Sequence, residues 1–421
     1  MRILHALAQK PGQTGSGVFL QQLFQAGFAK GYEQAVLAGI PQMQTHSDIA
    51  NLKSDNFFPV HFESKALPFC VVGMSDVMPY PSTRYSDMNE KMLKQYKIAF
   101  TCKIKEAIAT FRPTVIIAHH LWFMSALIKE LFPEIKVLCL CHGTDLRQIE
   151  LAPNLYKIVQ QNITKCDFVF ALNDIQKQTI IEKYGFDAQR VIISGTGYDP
   201  SRFYLTQKPK PDPIRIIYAG KISHAKGVLH LLRAFENLAY NHDTLVLELI
   251  GGGAGNESEE ILAYAKSMQT NVSYLGLIEQ KELAKKFQNA HIFVLPSFYE
   301  GLPLVVIEAL ACGMRVVVTK LAGLEAFLGQ SFEDLGLISY VDLPKMQSID
   351  KPHIDGIEKF ETDIKKALQT QIHAIKANKS IEHKMLQESL QDKTWKGLFE
   401  KLECYMQTKE YPYDEDTFTR R

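Results

Sequence analysis

The first half of the chain alternates short apolar runs with longer amphipathic stretches. Uninterrupted runs of valine, isoleucine and leucine are typical of strands buried on both faces of a parallel sheet, and helices between them are typical of a doubly wound α/β domain. The predicted strands are residues 3–7, 35–38, 115–118, 136–141, 168–171 and 190–194. The predicted helices are residues 18–30, 87–111, 123–131, 155–164 and 174–183.

The alternation restarts in the second half of the chain. Around residues 200–213 the sequence SRFYLTQKPKPDP has three prolines and no periodicity, which predicts a linker. The strands predicted beyond it are residues 214–218, 245–250, 272–275, 291–295 and 315–319. The helices predicted there are residues 227–239, 258–268, 279–289 and 303–312.

This pattern predicts an α/β protein with two doubly wound parallel-sheet domains, at residues 1–200 and 213–392. A chain of 421 residues is long enough for both. The segment 354–407 is predicted to be helical and is rich in charged residues. The last helix, at about 393–410, could pack back on the first domain.

Charge and cysteine content exclude some classes of protein. Lysine and arginine (47) nearly balance aspartate and glutamate (46), so no overall positive field attracts nucleic acid. No apolar run is long enough for a transmembrane segment, although a peripheral membrane contact stays open. The start is broken by Pro11 and Gly12 and does not resemble a signal peptide, and none of the seven cysteines forms a CxxC pair. We therefore expect reduced thiols and a cytoplasmic location.

The segment PSFYEGLPLVVIEALACG, residues 296–313, predicts a helix near the edge of a sheet where ligands of doubly wound folds bind. Residues 302–312 are apolar on nearly every face, so we expect a helix that is buried all round. Pro303 suits the first helical position, and Gly313 suits the position just past the end.

Two carboxylates accompany this helix. Glu308 lies within it, where an isolated carboxylate costs several kcal/mol unless it is paired. Glu300 lies in the preceding loop, and two carboxylates beside the free amides of a helix start can bind sugar hydroxyls and a phosphate together. The alternative is that Glu308 only neutralises a structural arginine or lysine.

The segment AGKISHAKG, residues 219–227, directly follows a predicted strand and opens a helix. Lys221 and Lys226, together with the amides of the helix start, could bind a leaving diphosphate. The alternative is a pair of solvated lysines on a surface loop.

Three further segments follow strands of the first domain. PGQTGSGVF, residues 11–19, has Gly15 and Gly17 where a backbone could approach a ligand, although it lacks the GxGxxG spacing and could be a plain turn. His119 and His120 follow one strand.

CHGTD, which contains His142 and Asp145, follows the next predicted strand. We interpret His142 as part of a polar site rather than as a core histidine. A metal site is a poorer fit, because no further ligand stands nearby in the sequence.

Together these segments resemble the retaining glycosyltransferases of family four, which have the GT-B fold of two Rossmann-like domains facing a central cleft. Glu300 and Glu308 match that family's E-x7-E, and residues 219–227 look like its G-R-L-x-x-x-K-G loop. LIGGG, LG and AHIFVLPS follow in the family's order, and HGTD and the glycine loop occupy the expected places. The resemblance covers nearly the whole chain and is loosest around residues 42–110.

The resemblance implies roles for residues of the second domain. Glu308 would bind the ribose hydroxyls of the nucleotide and Lys226 would neutralise the diphosphate. Lys221 stands where the family usually has arginine, so this second cationic contact would be kept but would lose the bidentate geometry of arginine. Glu300 would hold the donor sugar together with the backbone of three residues that follow it, namely Gly301, Leu302 and Leu304.

The resemblance also implies roles in the first domain. His142 would contact the donor sugar near the breaking bond, so that His142, Lys226 and Glu300 form the catalytic set. Gly15 and Gly17 would line the donor phosphate and the acceptor entrance. His120 matches the second histidine of the family's H-x-H, but Ala118 replaces the first; His120 and Asp145 are therefore assigned only to the acceptor side or the cleft.

The implied reaction is retaining transfer of a hexose in carbohydrate biosynthesis, with a nucleotide diphosphate sugar as substrate and no cofactor or metal. The acceptor would be a small molecule, a glycan or a lipid-linked sugar, selected around residues 42–84. Two other classes remain open: an epimerase or hydrolase acting on the donor alone, and a non-catalytic nucleotide-sugar-binding protein.

Overall fold

The computed structural model describes residues 1–12, 14–44, 47–75, 78–238, 244–253, 255–321, 323–348, 350–379 and 381–408. The chain forms two compact units, Met1–Gly195 together with the helix Trp395–Gln407, and Thr196–Thr394. Within the described ranges, no helix is long and apolar enough to cross a membrane.

The strands of the first unit are β1 Arg2–Leu7, β2 Glu33–Pro41, β3 Phe57–Phe62, β4 Val72–Gly73, β5 Thr83–Arg84, β6 Val115–His119, β7 Lys136–Leu140, β8 Phe168–Ala171 and β9 Val191–Ile193. Those of the second unit are β10 Ile214–Ala219, β11 Leu245–Ile250, β12 Val272–Gly276, β13 Ile292–Leu295, β14 Arg315–Thr319, β15 Ile338–Val341, β16 Met346–Ser348 and β17 Lys351–Pro352.

The helices before the second unit are α1 Gly15–Ala29, α2 Glu90–Phe111, α3 Phe123–Leu131, α4 Thr144–Leu151, α5 Pro153–Ile163 and α6 Asp174–Tyr184. Those that follow are α7 Val228–Glu236, α8 Asn256–Ser267, α9 Gln280–Gln288, α10 Leu304–Ala311, α11 Leu324–Leu328, α12 Ser331–Asp334, α13 Ile357–Lys376, α14 His383–Leu390 and α15 Trp395–Gln407.

Both units contain a parallel sheet whose strand order reverses near the middle. The order is β3-β2-β1-β6-β7-β8-β9 in the first unit and β12-β11-β10-β13-β14-β15 in the second. In the first sheet, β2 and β3 lie on one side of β1, and the chain then crosses to β6 on the other side. In the second sheet, β11 and β12 lie on one side of β10, and the chain then crosses to β13 on the other side. In doubly wound sheets, ligands bind beyond the carboxyl ends of the strands at this switch point. The predicted α/β class with two doubly wound parallel sheets is confirmed.

The sequence did not predict the short elements β4, β5, β16, β17, α11 and α12, and it also missed β3, α4 and β15. The β3 strand lies at an edge of its sheet, where only alternate side chains are buried and Pro59 is tolerated. The α4 helix buries polar residues, Asp145 and Gln148, so it has no apolar periodicity. The β15 strand is only four residues long. The end of the helix predicted at 227–239 is Glu236 in α7, and residue 239 lies outside the described ranges.

The segment predicted as a linker, residues 200–213, packs against the second unit. Phe203 is buried in the core of that unit. Lys208 Nζ donates to the carbonyl oxygen of Phe287 at 2.6 Å, at the end of α9. The Pro209 carbonyl lies 3.1 Å from Nε2 of His291. These contacts hold the segment against the second unit, so it is not a free tether.

The α15 helix packs within the first unit. Its apolar face, which includes Leu398 and Leu402, is buried, and Lys30, the residue after α1, forms an ion pair of 2.5 Å with Glu403. Residues 409 and 410 of the helix predicted at about 393–410 lie outside the described ranges.

Candidate functional site

The loops that follow β10 and β13 meet at the switch point of the second sheet. Gly227 has a φ of +67°, and a Cβ atom on it would lie 2.1 Å from the carbonyl oxygen of Pro296. The Phe298 amide donates to the carbonyl oxygen of Ala225 at 3.0 Å. Glycine is therefore required at position 227, because its left-handed backbone passes against the loop that carries Glu300.

This close approach brings Lys226 and Glu300 together. Lys226 Nζ lies 2.7 Å from Glu300 Oε2 and donates to the Tyr299 carbonyl oxygen at 3.1 Å. The buried Ser297 hydroxyl donates to the other carboxylate oxygen, Oε1, at 2.9 Å. Each carboxylate oxygen of Glu300 therefore has a partner of its own. The two side chains of the ion pair are about one-fifth to one-quarter exposed, at 24% for Lys226 and 20% for Glu300, so solvent still reaches the pair.

Lys221 lies on the same strand-end loop, five residues before Lys226, but its side chain is exposed. The buried Tyr218 donates its hydroxyl to the Lys221 carbonyl oxygen at 2.7 Å, which fixes the backbone of the loop. No hydrogen bond or ion pair from the described part of the chain reaches the Lys221 ammonium. Its charge is therefore available to a ligand.

The α10 helix begins one residue later than predicted, with Pro303 as the residue before the first turn, and Gly313 follows its end with a φ of +73°. The sequence predicted that this helix is buried all round, and that prediction is wrong. Leu304, Val305 and Glu308 form a half-buried face, because residues three and four positions apart lie on the same side of a helix. The predicted contacts Gly301 and Leu302 are half-buried in the loop that leads into this helix.

Burial raises the pKa of Glu308 to about 8, while the charge of Arg202 lowers it and that of Asp199 raises it. In the part of the second unit that the structure describes, no side chain forms an ion pair with Glu308 within 4.0 Å. Arg202 instead lies 3.8 Å from Asp199. The alternative in which Glu308 neutralises a structural cation therefore has no close partner to support it.

The glycine loop of the first unit precedes and opens α1. A Cβ atom on Gly17 would lie 2.4 Å from the Gly12 amide nitrogen, so this glycine is required by the packing of the loop on itself. A Cβ atom on Gly15 would lie more than 4 Å from the other residues that the structure describes around this loop. The Thr14 hydroxyl accepts from the Gly17 amide at 3.1 Å and caps the helix. Gln13 lies outside the described residues.

A cluster of histidines occupies the switch point of the first sheet. Gln34 donates to the Phe24 carbonyl oxygen, so its own oxygen accepts from Nε2 of His5 at 2.9 Å. His5 Nδ1 then accepts from Nε2 of His119 at 3.3 Å. The ring of His119 stacks on that of His142 with centroids 6.0 Å apart. His5, on β1, was not predicted to belong to this site, because it stands in an otherwise apolar strand.

His142 packs more like a core residue than the sequence indicated. It is half-buried, its Nε2 is shielded from solvent, and its ring lies 4.9 Å from that of Phe19 and 5.0 Å from that of His120. Burial lowers the pKa of His142 to about 3, and the neighbouring His120 contributes to this lowering. Burial also lowers the pKa of His5 to about 4 and that of His119 well below its usual value. These three rings are therefore neutral at physiological pH.

Asp145 connects the loops after β6 and β7. Its Oδ1 accepts from Nδ1 of His120 at 3.1 Å and from the Leu121 amide at 2.6 Å, and its Oδ2 accepts from the His142 amide at 2.7 Å. Burial alone would raise the pKa of this fully buried carboxyl, but His120 lowers it. The contacts explain how His120 keeps a φ of +107°, which is unusual for a residue other than glycine.

The structure thus brings together more histidines than the sequence indicated. Even so, no group of three or more His, Cys, Asp or Glu side chains in the described ranges is arranged to hold a metal ion. Residues 45, 46, 76 and 77, within the region predicted to select the acceptor, lie outside those ranges.

Two family models match adjoining parts of the chain. Residues 81–202 match the model described as Glycosyltransferase Family 4. Residues 203–334 match the model described as Glycosyl transferases group 1. The chain belongs to glycosyltransferase family four. The E-x7-E pair and the lysine loop both fall within the second match, where this family-four member has its Lys226–Glu300 ion pair.

Known proteins resemble this family-four member in sequence and in fold. It is 28% identical over 195 residues to the mannosylfructose-phosphate synthase of Agrobacterium fabrum, a match that covers 42% of this chain and 43% of the synthase. The chain spans about half the length, or less, of the curated relatives that it matches.

Two solved structures share the fold over nearly the whole chain. The sucrose-phosphate synthase of Thermosynechococcus elongatus has a TM-score of 0.67 at 17% identity, and the match covers 97% of this chain and 99% of that one. Anabaena Alr3699/HepE in complex with UDP and glucose has a TM-score of 0.67 at 13% identity, and the match covers 96% of this chain and 99% of that one. Both structures have the GT-B fold that the sequence predicted.

Proposed function

We propose that the chain transfers a sugar from a nucleotide diphosphate sugar to an acceptor hydroxyl, with retention of the anomeric configuration and without a metal ion. The observation that carries the proposal is the Lys226–Glu300 ion pair of 2.7 Å at the switch point of the second sheet. A nucleotide-sugar donor is supported by family membership and by the similar fold of the Anabaena protein, which was solved in complex with UDP and glucose.

The donor would lie across the carboxyl ends of β10 and β13. Glu308 would bind the ribose hydroxyls, because it has the half-buried carboxyl with no close ion-pair partner in the described chain. Lys226 and the exposed Lys221 would bind the diphosphate. Glu300, with the backbone of Gly301, Leu302 and Leu304, would hold the sugar.

In the proposed reaction, the acceptor oxygen forms a bond with the anomeric carbon on the same face from which the diphosphate departs. The bond from that carbon to the diphosphate oxygen breaks, and the acceptor's proton passes to the departing oxygen. Lys221 and Lys226 would stabilise the charge that develops on the leaving group. His142 is neutral at working pH, since its pKa is about 3, so it would contact the sugar without adding a charge.

The first unit would contribute the acceptor side of the reaction. Gly15, where a Cβ atom would have no neighbour within 4 Å among the described residues, would leave room for the donor phosphate, and Gly17 would shape that loop. Asp145 would hold His120 and His142 in place through its three hydrogen bonds. The nature of the acceptor and the cytoplasmic location stay predictions.

A thermal-shift panel of UDP-, GDP-, ADP- and dTDP-sugars tests the donor site. A ligand present at about 100 times its Kd should raise the melting temperature of the second unit by about 5–10 °C, because binding stabilises only the folded state. Glu308→Ala should abolish the shift, whereas Glu282→Ala, which removes an exposed carboxylate of α9, should keep it. A full shift in Glu308→Ala would contradict the assigned ribose contact.

Product analysis tests the reaction class and its stereochemistry. The proton coupling of the newly formed glycosidic bond, measured by NMR during turnover with an acceptor panel, should show the same anomeric configuration as the donor. The rate should persist in excess EDTA, because two ammonium groups supply the positive charge. Inversion, or loss of the rate in EDTA with recovery on adding Mg²⁺, would refute the corresponding part of the proposal. Release of free sugar without acceptor would favour the hydrolase.

A further inference from the structure

Lys226 is the proposed diphosphate ligand, yet two protein oxygens already share its ammonium group. A lysine ammonium has three N–H donors. One faces Glu300 Oε2 at 2.7 Å and another faces the carbonyl oxygen of Tyr299 at 3.1 Å. A diphosphate that binds Lys226 therefore arrives next to a carboxylate of the same sign, and it competes with that carboxylate for the cation.

Glu300 does not depend on Lys226 alone for its position. The Ser297 hydroxyl donates to Glu300 Oε1 at 2.9 Å, and Ser297 is fully buried. The carboxylate therefore stays anchored when Lys226 turns toward a phosphate. It remains close to the diphosphate, and it then lacks a partner on Oε2.

A donor and its nucleotide product differ at this position. In the donor, the outer phosphate is esterified to a sugar, which lowers its charge and brings hydroxyl groups that can donate to Oε2. In the product, the terminal phosphate is free and carries about −1.5 to −2 charges at neutral pH. Repulsion by Glu300 is therefore greater for the product, and no hydroxyl replaces Lys226 as its partner.

We propose that Glu300 is a specificity-determining residue that competes with the diphosphate for Lys226, and so weakens binding of the free nucleoside diphosphate more than binding of the intact donor. The inference rests on the proposed function, since it assumes that a diphosphate binds Lys226. Its consequence is selection against the product, which shares every other contact of the nucleotide with the donor.

Isothermal titration calorimetry with matched pairs of ligands tests this competition. The probes are UDP with UDP-glucose, ADP with ADP-glucose and GDP with GDP-mannose. The variants are then measured with the pair that binds the unmodified protein. Glu300→Gln keeps the shape and removes the charge, so it should bind the nucleoside diphosphate about two- to fivefold more tightly, the range expected for a partly exposed ion pair. Its affinity for the nucleotide sugar should stay the same or fall.

Three further variants separate the competition from a general effect on the site. Combined with Lys226→Ala, the Glu300→Gln change should no longer tighten binding of the nucleoside diphosphate. Glu300→Asp keeps a charge and should not tighten binding either. Glu282→Gln removes the carboxylate of a second 2.7 Å ion pair, the exposed Lys285–Glu282 pair on α9, outside both loops, and should leave both affinities unchanged.

The outcomes distinguish this inference from the function on which it rests. Unchanged or weaker binding of the nucleoside diphosphate by Glu300→Gln, in a protein that still binds the donor, overturns the competition and leaves the proposed function intact. Equal tightening of both ligands also overturns it, because the selectivity would then have another source. If no nucleotide pair binds the unmodified protein, the proposed function fails and the inference fails with it.

Discussion

Lys226→Ala should lower kcat/KM for the nucleotide sugar by about 10²- to 10³-fold, or about 2.7–4 kcal/mol of transition-state stabilisation. The ammonium lies 2.7 Å from the carboxylate proposed to hold the sugar. It would meet the negative charge that develops on the departing diphosphate. Because this charge is largest in the transition state, kcat should fall more than KM rises.

Steady-state kinetics of two further variants serve as controls for this loss. Lys226→Arg keeps the charge and should retain most of the rate. Lys285→Ala removes the cation of an equally short but exposed ion pair on α9, and it should leave kcat/KM within about twofold. A loss below tenfold in Lys226→Ala would show that this residue does not stabilise the leaving group.

Acidification from pH about 6.5 to about 4 should destabilise the first unit by several kcal/mol. The folded-state pKa is about 4 for His5 and about 3 for His142, against an ordinary value of 6.5, and the pKa of His119 is also lowered by burial. The unfolded chain therefore binds more protons in this window. The stability is fully present above pH 6.5 and is lost as the pH falls toward the folded values.

Fluorescence reports this transition selectively, because the two tryptophans of the chain, Trp122 and Trp395, both belong to the first unit. Urea unfolding followed at these residues should show a midpoint that falls steeply below pH 6.5. His119→Asn should reduce the number of protons taken up on unfolding, which sets that slope, by about one. A midpoint constant between pH 6.5 and 4.5 would contradict neutral burial of the cluster.

The sequence predicted the loops of the site better than the contacts between them. Glu300, Glu308 and Lys226 were found because they follow apolar strands and match a motif. Their partners depend on which strands are neighbours, and the pairing of β10 with β13 joins segments more than 70 residues apart. Ser297 gave no signal, since its role depends on the direction of one hydroxyl group.

The sequence indicated His119, His120 and His142 at two strand ends, but it did not indicate His5 or the contacts among these rings, for a similar reason. His5 lies inside an apolar strand, and its link to His119 spans 114 residues of sequence. Gln34 contributes through its hydrogen bond to His5, and Phe19 contributes through its ring contacts with His119 and His142. The α4 helix was missed because it buries a carboxylate and an amide, so apolar periodicity could not indicate it. Local patterns predict elements, but side-chain partners depend on the strand order of the assembled sheet.

A crystal structure of the protein with a non-transferable nucleotide sugar, chosen by the thermal-shift panel, would show the donor site itself. We expect a diphosphate within hydrogen-bonding distance of Lys226 Nζ and a ribose whose hydroxyls contact the Glu308 carboxylate. A nucleotide bound elsewhere on the protein, with the Lys226 loop and α10 untouched, would contradict the proposed donor site.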